Sequence, residues 1–166
     1  MRIYDFAESL MRMDDGVWRR HANPWSVWTR VPIIFPLAAV LYLWPVLGWW
    51  TILPVGIIGI WTYLNPRVFG PIDKIGSWSS KGVYGEKIFL AEREKGSISK
   101  EHIKVANFLT VLSGISAIAM IIGIVIQDFY LTAIGTLLCW VFKMWFVDRM
   151  VWVFEDYRRE YSYELE

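Results

Sequence analysis

The chain has 166 residues, of which 55% are apolar or aromatic and 20% charged, with a formal net charge of +1 at pH 7. Its apolar residues are gathered into blocks: 36 consecutive residues between Arg30 and Arg67, and 23 between Lys104 and Asp128, contain no Asp, Glu, Lys or Arg. An uncharged run of about 20 residues is the length that crosses a bilayer, so a water-soluble globule is excluded. The near-neutral balance supplies no field for gathering nucleic acid, which is not expected as a partner. The one cysteine, Cys139, excludes an intrachain disulfide and a Cys-rich zinc or iron–sulfur site.

Residues 2–13 place Ile3, Phe6, Leu10 and Met13 at helical spacing with Arg2, Asp5, Glu8 and Arg12 elsewhere, a pattern for a helix on the membrane surface or packed on the protein's own loop. The same mixture of charges is unlike a cleavable secretory signal. The first uncharged run is too long for one span and just long enough for two, about 25 Å each. Pro45 and Gly48 break it, and Trp49 and Trp50 beside the break favour the headgroup level; span 1 is expected at 28–46 and span 2 at 49–65. Because the halves are short and hold Pro32, Pro36, Pro45 and Pro54, a hairpin that re-enters without crossing is the alternative.

A central loop at 66–100 begins after Asn65, with Gly70 and Pro71 marking turns, and holds a short helix expected around 85–94. It reads as a connector with some structure. Ser99 is a good N-cap for span 3 at 101–126, Gln127 and Asp128 make a tight turn, and Asp128 caps span 4, which starts at Phe129. No Gly or Pro follows Thr136, so this helix is expected to leave the membrane near Phe146 and continue toward Tyr157.

The expected fold is therefore all-α: an integral membrane protein with four transmembrane helices in two hairpins, an N-terminal interfacial helix and a long helical C-terminus. It forms one domain, 1–166, divided into a cytoplasmic or interfacial segment (1–27), a first hairpin (28–65), a cytoplasmic loop (66–100), a second hairpin (101–147) and a cytoplasmic helical tail (148–166). All 17 Lys and Arg residues lie before span 1, in the central loop or toward the end of span 4 and beyond it, and neither hairpin tip holds one. Positive residues collect on the cytoplasmic side, so both termini and the loop are expected there, in the cytoplasmic membrane.

No carboxylate, His, Lys or Arg falls near the middle of a span, although such residues usually mark ion and proton paths. A one-chain transporter is disfavoured, and a channel would need a seam between copies. Small residues form stripes instead: Ser116, Ala119 and Gly123 on span 3, and Thr132, Gly135, Thr136 and Cys139 on span 4. Such stripes let helix backbones approach closely in lipid. Lys143, about one turn inside the end of span 4, reads as a snorkelling lysine.

The candidate site is the cytoplasmic end, where His21, Asn23, Arg30, Arg67, Asp148, Arg149 and Glu155 are brought to one level by the topology. An aromatic belt with paired charges is the plain interpretation, with Arg30 pairing to Asp148 if spans 1 and 4 are neighbours. Guanidinium groups could instead recognise a phosphate-bearing headgroup. His21 and His102 lack the spacing of a metal site, and no metal or cofactor is expected.

The segments His21-Ala-Asn-Pro-Trp-Ser-Val-Trp-Thr-Arg30, Leu64-Asn-Pro-Arg-Val-Phe69, Trp78-Ser-Ser-Lys-Gly-Val-Tyr-Gly-Glu86 and Trp145-Phe-Val-Asp-Arg-Met-Val-Trp-Val-Phe-Glu-Asp156 resemble an uncharacterised family of small prokaryotic multi-pass membrane proteins over residues 15–158. The resemblance implies an integral membrane protein and no activity, cofactor or catalytic residue. The leading expectation for function is a structural or accessory subunit that binds other membrane-protein subunits or a second copy of itself within the lipid bilayer. The alternatives are a membrane enzyme acting on a lipid or amphiphile at the cytoplasmic headgroup level, and an oligomeric transporter or channel.

Overall fold

The computed structural model describes residues 15–161, so the amphipathic pattern at 2–13 lies outside the described residues. Among these, every regular element is helical. Helices α1 (Asp15–His21) and α2 (Pro24–Arg30) precede a 3₁₀ turn (Val31–Ile33) and α3 (Ile34–Tyr42). Then come α4 (Trp44–Leu47), a second 3₁₀ turn (Gly48–Thr51) and α5 (Ile52–Val68), followed by α6 (Trp78–Glu92), α7 (Lys100–Ile126) and α8 (Phe129–Tyr161). Four stretches are long and apolar enough to cross a membrane: Pro24–Tyr42, Trp44–Val68, Lys100–Ile126 and Phe129–Tyr161.

The first pair of spans is interrupted at Leu43 and again at Gly48. The break falls at Leu43, because Pro45 occupies the first turn of α4, where its missing N–H has no intrahelical partner to lose. Gly48 then turns the chain with φ +53°, a conformation costly for a residue with a Cβ. Nor does Asn65-Pro66 open a loop, since α5 continues through Pro66 to Val68.

Helices α7 and α8 run antiparallel around a two-residue turn. Gln127 adopts the left-handed conformation that ends α7, and Asp128 Oδ1 accepts the Leu131 N–H at 2.8 Å. Their backbones meet at the glycines: a Cβ on Gly123 would lie 2.5 Å from Thr132 N, and one on Gly135 2.5 Å from Met120 N. Ser116, Thr132 and Thr136 are buried in this seam, whereas Ala119 and Cys139 sit half-buried at its edge. Each of the three buried hydroxyls bonds a carbonyl one turn back, Thr136 Oγ1 to Thr132 O at 2.7 Å for instance, so no polar group is orphaned by the close approach.

The central segment is more than a connector. α6 begins at Trp78, with Ser77 Oγ accepting the Ser80 N–H as N-cap, and buries Val83, Tyr84, Ile88 and Phe89. It lies across the distal half of α8, where Gly82 and Gly85 face Val147 and Met150; a Cβ on Gly85 would fall 1.8 Å from Met150 O. The lack of a Cβ at these two glycines is what lets the helices cross. The main core gathers here, from Trp18 and Ala22 through Val83, Tyr84 and Phe89 to Phe146, Met150, Val153 and Phe154. By contrast α5 buries only Asn65 and Pro66.

Candidate functional site

The seven sequence candidates do not form one cluster. They divide between the adjoining ends of the first two spans and the distal part of α8, and each group has partners that the sequence did not announce.

On α8, Asp148 accepts the Trp78 indole N–H at 2.9 Å, and Glu155 pairs with Lys81. Both partners belong to α6. The expected Arg30–Asp148 pair is thus not formed, because α6 covers that face of α8. Arg149 makes a long contact of 3.5 Å to His102 Nδ1, while His102 Nε2 lies 2.9 Å from Asp156 Oδ2. A carboxylate only accepts, so His102 donates from Nε2. These contacts fasten α6 and the start of α7 to α8, a structural role.

Around the first span the arrangement is tighter. Asn23 caps α2, accepting the Trp25 N–H at 3.0 Å, and its amide nitrogen donates to Gly70 O at 3.0 Å. Arg67 lies over the Tyr63 ring at 4.3 Å and donates to Tyr63 O. Between them sits a buried polar knot: Ser26 Oγ donates to Asn65 Oδ1 at 2.7 Å, and Asn65 Nδ2 donates to Thr29 Oγ1 at 2.8 Å. Asn65 and Ser26 are fully buried, so this knot ties the start of span 1 to the end of span 2 where water cannot substitute.

Arg30 is oriented by that knot. Its Nη1 donates to His21 Nδ1 at 2.9 Å, and reaches Asn65 Oδ1 at 3.3 Å and Ser26 Oγ at 3.4 Å. A guanidinium only donates, so His21 is held as the neutral tautomer protonated at Nε2. Burial, with Arg30 and then Lys143 adding repulsion, pushes His21 down to about 3. Among the described residues no carboxylate comes within ion-pair distance of Arg30, and Nη2 and Nε have no acceptor.

Arg30 opens onto a crevice of about 760 Å³ between the first pair of spans and α8. Val31, Ile34 and Leu37 form one wall, Val55, Ile58 and Gly59 the second, and Cys139 and Trp140 the third. Its polar side chains are Arg30, Thr62, Tyr63, Ser113 and Lys143, of which Arg30 and Lys143 are charged. Lys143 Nζ sits 4.6 Å over the Phe146 ring and 3.5 Å from Glu86 Oε1. A smaller chamber of about 220 Å³ lies behind, sharing Ser113 and Lys143 with the crevice and lined also by Glu86 and Thr110. Volumes of roughly 300–1,000 Å³ with few polar groups are the usual form of a small-molecule site.

Lys143 and Glu86 were absent from the sequence's candidate residues. Asn23-Pro24 and Asn65-Pro66, two Asn-Pro pairs flanking the same pair of spans, were the one available signal for the knot. Among the described residues no group of His, Cys, Asp and Glu is placed to hold a metal ion. No curated protein and no solved structure matches the chain. Residues 6–163 match a family of unknown function, DUF6653, and the chain belongs to that family.

Proposed function

We propose that this is an amphiphile-binding membrane protein, which takes a hydrocarbon chain into the crevice and an anionic headgroup against Arg30 and Lys143. One observation carries the proposal: an apolar crevice walled by three spans ends at a guanidinium whose Nη2 and Nε have no acceptor among the described residues. A fork of free N–H donors matches the oxygens of a carboxylate or phosphate. Its neighbour Lys143 adds a second cation on a flexible stem. In the proposed orientation this end faces the cytoplasm, as the distribution of Lys and Arg in the sequence supports.

Native mass spectrometry of the protein released from its membrane tests the proposal. The expected result is a retained anionic amphiphile that is lost in Gly59→Phe, because Gly59 lines the crevice and a Cβ there meets nothing within 4 Å. The added ring is expected to occupy crevice volume that the ligand chain would use. Equal retention by wild type and Gly59→Phe would contradict the proposal.

A second role, as an accessory subunit, is favoured by the exposure of α5. The span Trp44–Val68, of which α5 is the larger part, has an 18-residue apolar window that buries no residue within the chain, so a neighbouring membrane protein could line it without disturbing the core.

A further inference from the structure

The charges around the crevice mouth do more than make it cationic. Arg30 and Lys143 contribute two positive charges, and Glu86 contributes one negative charge from the chamber behind. Glu86 Oε1 lies 3.5 Å from Lys143 Nζ and is within electrostatic reach of Arg30. His21, whose Nδ1 accepts from Arg30, adds nothing at neutral pH. Arg67, beyond Tyr63, does not line the crevice. The local sum is therefore one positive charge.

Resting on the amphiphile reading above, we infer that the site selects a headgroup bearing a single negative charge, and that Glu86 is the residue that sets this selectivity. A monoanion, whether a fatty-acid carboxylate or a phosphodiester, neutralises the mouth. A phosphate monoester in its dianionic form leaves a surplus negative charge facing Glu86, and like charges at close range are penalised. The 3.5 Å separation is longer than a charge-assisted hydrogen bond of about 2.7–2.9 Å. Lys143, on its flexible stem, can extend toward a ligand while Glu86 remains near enough to act on its charge. Glu86 does not itself line the crevice and reaches it only through Lys143, so it acts on the headgroup through charge.

The test is competition binding in neutral detergent at pH 8, read by native mass spectrometry, with palmitate, lysophosphatidylglycerol, lysophosphatidic acid and lysophosphatidylcholine. Wild type should retain palmitate or lysophosphatidylglycerol, or both, roughly fivefold better than lysophosphatidic acid, the scale of a half-exposed charge interaction. Lysophosphatidylcholine should bind least. Palmitate against lysophosphatidylglycerol separates a carboxylate ligand from a phosphodiester one. Glu86→Gln should abolish or reverse the preference over lysophosphatidic acid, and Glu86→Asp should keep it. A wild-type preference for lysophosphatidic acid, or a ratio unchanged in Glu86→Gln, would overturn the role of Glu86 while leaving the amphiphile site standing. Failure of every lipid to bind, or binding unaffected by Gly59→Phe, would overturn the site itself and this inference with it. If Glu86→Gln fails to fold, the wild-type ratio still decides the charge preference.

Discussion

The Ser26 hydroxyl and the Asn65 carboxamide meet at 2.7 Å with both residues fully buried. They are 39 positions apart, and this bond, with Asn65 to Thr29, holds the two ends of the first pair of spans together. Because Asn65 Oδ1 is also an acceptor for Arg30, the knot sets the direction of the guanidinium facing the crevice. Structure and candidate function therefore share one residue.

Asn65→Ala is expected to leave the buried Ser26 hydroxyl without its acceptor, at about 1–3 kcal/mol. Ser26→Ala added to Asn65→Ala should cost little more, because both changes break one interaction. Thermal unfolding in detergent of the two single variants and the double variant checks this, and additive losses would contradict it.

The glycines of α6 give a sharper contrast. Gly85→Ala places a methyl group where Met150 O already stands, and should cost about 1–3 kcal/mol or more through overpacking. Gly114→Ala on α7 meets nothing within 4 Å and should be neutral or stabilising by up to about 1 kcal/mol, through helix propensity alone. Equal melting temperatures for the two variants would show that α6 does not cross α8 so closely.

The spans were legible in the sequence because bilayer thickness imposes a length and a charge-free composition that any reader can count. The run of residues after Thr136 without Gly or Pro likewise announced the continuous α8. The extent of α6 was not legible: Gly82 and Gly85 carry the same symbol whether they bend a loop or admit a neighbouring backbone, and only the position of Met150 distinguishes the two. The pairing of Arg30 failed for a related reason. Which charges meet depends on the rotation of each helix, and Trp78 and Lys81 reached Asp148 and Glu155 from a segment that had looked like a linker.

Stability should fall as the medium is acidified through the histidine range. His21 is held down to about 3 in the fold, below its unfolded value near 6.5. Between these values the unfolded chain binds a proton that the folded chain refuses, so stability is greatest above about 6.5 and declines as pH falls, by at most about 1.4 kcal/mol per pH unit from this one group. Melting temperature measured from pH 8 to pH 5 should drop more steeply in wild type than in His21→Gln. Parallel curves would show that His21 titrates freely.

Orientation can be read with an impermeant thiol reagent. In a Cys139→Ser background, single cysteines at Gly48 and Gln127 should react from outside intact cells, and one at Lys95 should react only after lysis. Labelling of the Lys95 position from outside would reverse the assignment of sides.

The central claim is that an amphiphile lies in the crevice between the first pair of spans and α8. The most direct measurement is photolabelling of the wild-type protein in detergent with a palmitate analogue carrying a mid-chain diazirine, followed by peptide mapping. Adducts are expected on the crevice walls, at Leu37, Val55, Ile58, Gly59 and Cys139, suppressed by excess palmitate and lost in Gly59→Phe. Adducts spread over the outward faces of α5 and α7, at Ile57, Ile60, Ile115 and Ile118, with no effect of competitor or of Gly59→Phe, would contradict it.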